Sequence, residues 1–456
     1  MFKDPYSLFQ KNQFIIIISL SHLIFIILFV IFGRYSANAL PTFPTNNDST
    51  VEYPMFMDIH GMIFVGFGML MVFLKKYSYS SVSINMLLAS FSIEWSIIIR
   101  GFLSTQFQKD GTFEIGILSI IDADFSAAVV LISMGALLGK LTPTQYLILT
   151  IIEVPASVVT EYIVMEIFHV NDVGGSMTIH IFGCFFGLAA AKAFYVEDHS
   201  NSANEGSSYN SDVFGMVGTI FLFIYWPSFN AATAVSESAK QRCIMNTYLS
   251  LTASAIATFI TSQIVDKNRK FDMVHICNST LAGGVAIGTV GAVILNPWIS
   301  LVIGSVGGVV SVLGYKYSSP FLKSKLGIHD TCGVANLHGF PALISGVCSI
   351  ILAGAYPKAD YGSEYTDIYP ATSPTHGHSH FSQPLYQLFG ILLELAASIV
   401  IGLLTGYLLK LKIWNQLPPK DLFSDQLFFH TPDDFNSSQY IQNLQQIEVC
   451  TKNVNA

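Results

Sequence analysis

The amino-acid sequence predicts an all-α polytopic membrane protein: about twelve transmembrane helices, read as two inverted five-helix repeats with an extra first and an extra last helix. Three observations carry that expectation. Charged residues are 11% and hydrophobic residues 52% of the 456 positions, whereas soluble domains carry roughly 25% charged residues. Apolar runs of the roughly 20 residues that a spanning helix needs recur along the chain up to about residue 411. Finally, His180 and His338 stand in matched apolar settings, each with a glycine five residues earlier (Gly175, Gly333) and an aliphatic residue just before it. A histidine inside a bilayer is costly, so two in equivalent surroundings point to one shared site.

In chain order the apolar windows fall at 14–33, 55–74, 81–102, 115–138, 145–168, 174–195, 212–231, 243–264, 273–294, 297–314, 333–354 and 385–409. The first follows Lys3 and Lys11 and precedes Ala37-Asn38-Ala39, a pattern that resembles a secretory signal with its cleavage site. The run is longer than a usual signal core, which favours a retained helix. Connections such as Asn296-Pro297 are short, so residues 1–411 read as one membrane domain. Residues 412–456 hold Leu417-Pro418-Pro419 and a Gln- and Asn-rich end. They read as a cytosolic, partly disordered tail with no chemistry of its own.

Positive charge sets the orientation. With the N-terminus inside, the cytosolic segments collect most of the lysines, among them Lys75, Lys76, Lys140, Lys316, Lys323 and Lys325. The outer segments keep only Arg34, Lys109, Lys240, Arg242 and Lys358. Both termini are then cytosolic. The net charge of -8 argues against a nucleic-acid partner. Six cysteines form no CxxC pair, which gives neither a disulfide framework nor a zinc site. The outer sequence His376-Gly377-His378-Ser379-His380 reads as a solvated loop rather than a metal site. The sequon Asn47-Asp48-Ser49 lies in the first outer loop, so Asn47 is the candidate glycosylation site. It suggests the secretory route, with the cell membrane as the default location and an internal vacuole membrane as the alternative.

Ten windows remain once the first and last are set aside. His180 lies in the fifth of these and His338 in the tenth. Five is odd, so two consecutive five-helix units cross the membrane in opposite senses, with a site near the midplane where they meet. The pairs Gly183 and Gly187, Gly284 and Gly288, and Gly304 and Gly308 make small ridges that let helices approach closely.

Two facing neutral imidazoles can share one hydrogen and leave polar edges along a thin apolar passage. Such a passage suits a small neutral solute that both donates and accepts, such as ammonia; water also fits. A cation there would cost several kcal/mol, so it must lose its proton first. The blander alternative is that each histidine bonds a backbone carbonyl. Asp172, ahead of Gly174-Gly175-Ser176, reads as a helix N-cap. Glu161, near the outer end of its window, is either a vestibule acid that gathers cations or a solvated interfacial one. Phe125 and Phe229 sit beside polar residues within or at the end of a span, but spacing cannot single them out among 35 phenylalanines.

Several segments together resemble the Rh glycoproteins of the ammonium transporter superfamily. They are Asp172 through His180, Tyr225-Trp226-Pro227-Ser228-Phe229-Asn230, Leu281-Ala282-Gly283-Gly284, His329-Asp330-Thr331-Cys332-Gly333 and Asn336-Leu337-His338-Gly339. The resemblance implies a homotrimer with one pore per subunit and two inverted five-helix halves. It implies that His180 and His338 are the pore pair, that Phe125 and Phe229 are a stacked gate at the outer mouth, that Asp172 is the acid near the pore entrance and that Glu161 belongs to an acidic vestibule. It further implies ammonia or ammonium as the solute, methylammonium as an analogue, carbon dioxide as a further candidate, and no cofactor.

Two positions depart from the family pattern: Ala335 stands where another histidine is usual, and Pro341-Ala342 where Pro-Gly is usual. The first puts proton handling in the inner vestibule in question. No counterpart of the bacterial branch's outer tryptophan cage is present, which favours low-affinity, gradient-driven flow. The leading expectation is a channel-like facilitator. The alternatives are an electrogenic ammonium or ammonia-and-proton transporter and a non-conducting ammonium sensor. An enzyme is not expected, because the interior histidines are single rather than grouped as metal ligands.

Overall fold

The computed structural model describes residues 8–41, 52–374, 376 and 379–432. Asn47 and the chain beyond 432 lie outside the described residues. Among these residues twelve helices are long and apolar enough to cross a membrane. They are α1 (Phe9–Phe32), α2 (Glu52–Phe73), α3 (Ser78–Leu103), α4 (Ile117–Leu137), α5 (Pro143–Ile167) and α6 (Ser176–Phe194). The others are α7 (Tyr209–Ala231), α8 (Glu237–Val265), α9 (Met273–Val290), α10 (Pro297–Leu326), α11 (Ala335–Ala355) and α12 (His380–Leu409). Each of the twelve expected windows overlaps one of them.

The largest departures are at helix ends. α10 runs on to Leu326 rather than stopping near 314. Apolarity records how much of a helix is in lipid, and past that point the helix continues with exposed Lys316 and Lys325 and half-buried Lys323 in its turns. α8 begins at Glu237, six residues before the expected start at 243, because the Ser236 hydroxyl caps it by accepting from Ala239 N at 3.0 Å.

The central helices are α4, α6 and α9, whose apolar windows are mostly buried in protein, while α1 is almost wholly peripheral. α1 is held by Phe25, packed on Phe91 and stacked on Trp95 of α3. A short parallel pairing of β1 (Gly33–Tyr35) with β2 (Phe113–Ile115) ties its end to the loop before α4.

Close packing follows the glycines. A Cβ at Gly183 would stand 2.7 Å from the Val129 carbonyl oxygen of α4, and one at Gly304 only 2.1 Å from that of Ser250. A Cβ at Gly308 would meet the Ser254 carbonyl oxygen at 2.6 Å. α8 also repairs a break in α9 at Thr280-Leu281. The Ser250 hydroxyl donates to Gly283 O at 2.7 Å, and the Ser254 hydroxyl donates to Ser279 O at 2.8 Å while accepting from Gly283 N at 3.1 Å. In lipid such backbone groups have no water to turn to.

After α12 the chain returns to the bundle. Phe423 N donates to Gly139 O at 2.9 Å, and the Asp425 carboxylate caps α3 through Tyr79 N and Ser80 N at 2.9 and 2.8 Å. On the other face, residues 357–374 lie over the second half. The Tyr361 hydroxyl donates to Val293 O at 2.6 Å, and Glu364 pairs with Arg242 at 2.6 Å.

The packing predicts that Gly304→Val drives α10 off α8. Its melting temperature in detergent should fall well below that of a Val306→Ala control, whose side chain faces outward; equal melting temperatures would contradict the close approach.

Candidate functional site

Two helices begin inside the bundle rather than at its rim, and both begin in the same way. Ahead of α6, Gly175 takes φ +66°; ahead of α11, Gly333 takes φ +73°. A side chain is excluded at both, since a Cβ would stand 2.4 Å from Ile179 Cδ1 and 2.2 Å from Tyr315 Cε1 respectively. An aspartate three residues before each glycine caps the new helix. Asp172 Oδ2 accepts from Met177 N and Thr178 N at 2.9 Å and from the Thr178 hydroxyl at 3.0 Å. Asp330 accepts from Gly333 N, Val334 N and Ala335 N, all at 3.0 Å. Burial raises the pKa of both acids above the usual carboxylate value, while these hydrogen bonds oppose the shift.

Each capped start is joined to the opposite half. On one side, Gly174 N donates to Gly288 O at 3.0 Å, Ser176 donates to Val285 O at 2.7 Å, and the Thr289 hydroxyl donates to Asp172 Oδ1 at 2.6 Å. On the other, Thr331 N and Cys332 N donate to Ala136 O and Gly135 O at 3.3 and 3.2 Å. The partners of these two starts lie on α9 and α4, the third helices of the groups α7–α11 and α2–α6. This reciprocal stitching is the inverted repeat made visible in hydrogen bonds.

The first turns of α6 and α11 are wound as π-helix over Ser176–Ile181 and Ala335–Gly339, a local form found mostly at functional sites. Each turn carries one histidine. His180 Nδ1 and His338 Nδ1 are 3.0 Å apart, with ring centres 5.1 Å apart and planes tilted by only 12°. Both rings are buried, at 1% and 4% exposure. One hydrogen lies between the two nitrogens, so one ring donates and the other accepts. His180 Nε2 is buried without a protein partner, which leaves it free for a solute.

Aromatic rings continue the row. Phe125 meets Phe229 at 4.8 Å, edge to face at 69° rather than stacked. Phe229 lies 6.0 Å from the His180 ring, and Trp226 lies nearly parallel to His180 at 5.9 Å. Phe67 lies nearly parallel to His338 at 6.3 Å. Beyond His338 is a cavity of about 30 Å³ lined by Phe67, Leu131, Cys332, Leu337 and His338, room for about one water. The row is narrow and mainly apolar.

Glu161 sits elsewhere. It forms a two-pronged ion pair with Arg100 of α3 at 2.9 and 2.6 Å, on the wall of a cavity of about 350 Å³ that also touches Ser104, Tyr162 and Glu166. Arg100 reaches on to the Ser126 hydroxyl at 3.0 Å, next to Phe125. Among the described residues no group of three or more His, Cys, Asp or Glu side chains is placed to hold a metal ion.

Sequence reasoning missed four contributors. Asp330 had a signal: like Asp172, it stands three residues before the turn glycine and eight before the histidine. Trp226 and Phe67 had none beyond their aromatic character, and Arg100 is found as the partner of Glu161 only in three dimensions.

The profile of the Ammonium Transporter Family matches residues 17–426 of the chain. The chain belongs to that family. Within it, the similarity is to Rh-type members. It is 43% identical to ammonium transporter Rh type B-B of Xenopus laevis over 420 residues, covering 89% of this chain and 90% of the relative. It is 41% identical to ammonium transporter Rh type C of Xenopus tropicalis over 446 residues, covering 92% and 94%. Among solved structures, Nitrosomonas europaea Rh50 superposes with a TM-score of 0.73 at 30% identity, covering 88% of this chain and 98% of that one. A structure described as a sensor Amt protein shares the fold at a TM-score of 0.60 and 18% identity. This Rh-type chain is a multi-pass membrane protein.

The cap geometry predicts that Asp330→Ala and Asp172→Ala each leave buried N–H groups unpaired. Each should cost about 1–3 kcal/mol, read as a lowered melting temperature, with the Asn substitutions retaining part of it. Alanine variants that melt like the wild type would show that the caps do not hold the half-helices.

Proposed function

We propose that this chain is a channel-like facilitator of ammonia and ammonium passage, with His180 and His338 as the pore pair and Phe125 and Phe229 as the gate before it. The observation that carries this reading is the 3.0 Å contact between the two imidazole Nδ1 atoms at the head of two capped half-helices. An ion confined between Phe229 and His338 would give up its water for a few aromatic edges, at a cost of several kcal/mol. Ammonium therefore gives its proton to water on the outer side of the aromatic pair, and ammonia passes. When His180 carries the shared hydrogen, the N–H groups of ammonia can donate to its bare Nε2, and the ammonia lone pair can accept from the Nε2–H of His338.

Asp172 fixes the mouth of α6 and its field. Glu161, neutralised by Arg100, shapes the neighbouring cavity rather than presenting a free charge. Support for the solute comes from the relatives, which are named ammonium transporters. Methylammonium is the proposed analogue and carbon dioxide a further solute. The protein acts by transport and performs no covalent chemistry. We place it as a homotrimer with one pore per subunit in a lipid bilayer, by default at the cell membrane. Both termini are cytosolic, residues 412–456 form the tail after the membrane domain 1–411, and Asn47 is glycosylated outside.

In proteoliposomes, an inward ammonia gradient should alkalinise the lumen through the wild-type protein. His180→Ala should slow that rise at least tenfold while the variant still folds. An unchanged rate in a correctly folded variant would remove the histidine row from the path.

A further inference from the structure

α5 carries a feature that the histidine row does not use. Its inward face is polar for most of its length: Tyr146, Thr150, Glu153, Ser157 and Thr160 recur at helical spacing, and all are buried. At 1.5 Å per residue they cover about 21 Å, most of the roughly 30 Å hydrocarbon layer. Glu394 of α12 lies beside Thr160 and is also completely buried. Apart from the Thr160 hydroxyl beside it, the Glu394 carboxyl has no protein partner, and Glu153 Oε2 has none.

Hydrogen counting adds a second constraint. The Ser133 hydroxyl of α4 contacts Glu153 Oε1 and also lies 2.7 Å from Gly183 O. A serine has one hydrogen and a carbonyl has none. If Ser133 donates to Gly183, the hydrogen in its contact with Glu153 must come from the carboxyl group. At one end of the stripe Glu161 and Arg100 open onto the cavity of about 350 Å³. Asp122 of α4 lies within electrostatic range of that pair. At the other end the Tyr146 hydroxyl donates to Leu137 O at 3.1 Å and also contacts Tyr77.

We propose that α5 forms a proton path separate from the histidine row, with Glu153 and Glu394 as its proton-carrying groups. Buried carboxyls in a membrane protein mark such relays. Helix adhesion needs only the hydroxyls. Thr150 bonds back to Tyr146 O at 2.9 Å and Ser157 to Val154 O at 3.1 Å, which uses their hydrogens and leaves oxygen lone pairs to accept. In each transfer a carboxyl passes its proton to the next acceptor, a hydroxyl or an intervening water. It is then reprotonated from the side it faces, so one proton enters for each that leaves.

The test needs no ammonium and is independent of the function proposed above. In ammonium-free proteoliposomes with a potassium and valinomycin potential, a trapped pH dye should report proton uptake above that of protein-free vesicles. Glu394→Gln and Glu153→Gln should each reduce it at least tenfold while leaving ammonia-driven alkalinisation within twofold of wild type. Thr150→Val interrupts the stripe without touching a carboxyl and should lower proton uptake several-fold. His180→Ala should do the reverse, losing ammonia flux and keeping proton uptake. Wild-type uptake no greater than that of empty vesicles overturns the proposal. So does unchanged uptake in a Glu394→Gln variant that melts like the wild type.

Discussion

A helix that begins inside a membrane protein exposes N–H groups where no water can satisfy them, and this fold begins two helices there. Everything at the centre depends on how those groups are paired. An aspartate, a left-handed glycine and a π-wound turn solve the problem twice, at Asp172 to Ile181 and at Asp330 to Gly339. The caps set the two helix heads, and the heads set the 3.0 Å contact between His180 and His338. Each cap is also joined to the other half of the molecule, Asp172 through Thr289 and the Asp330 loop through Gly135 and Ala136. The site is therefore not a feature laid on top of two halves. It is the joint between them.

Much of this was legible because lipid imposes strong rules on sequence. Span length, the parity of five and the placement of small residues each follow from the bilayer rather than from a particular partner. The glycines at 183, 304 and 308 lie against carbonyl oxygens, as their spacing suggested. What stayed hidden were pairings between distant segments. No pattern in the chain says that Glu161 meets Arg100, or that Phe125 meets Phe229 on edge instead of face to face. The end of α10 was missed for a different reason: apolarity stops at the membrane surface, whereas hydrogen bonding carries the helix into water. Asp330 was the one avoidable omission, because its spacing to Gly333 and His338 repeats that of Asp172 to Gly175 and His180.

The row itself separates two tasks that a single polar channel would mix. In the proposed function, Phe125, Phe229 and Phe67 make the passage too dry for an ion, and two imidazoles make it polar enough for a molecule that both donates and accepts. A ring of acids would hold the cation instead of excluding it. The ion pair of Glu161 with Arg100 follows the same logic, since it keeps a carboxylate near Phe125 without leaving a free negative charge beside it.

That economy makes the α5 stripe harder to dismiss as adhesion. Interhelical hydroxyl contacts in membranes contribute about 0.6 kcal/mol on average, and elsewhere in this bundle serine and threonine do that work without acids, as at Ser250 and Ser254. Two carboxyl groups buried completely at the meeting of α4, α5 and α12 add a desolvation cost that adhesion does not require. Glu153 and Glu394 are thus set apart from the hydroxyls around them by what it takes to bury them.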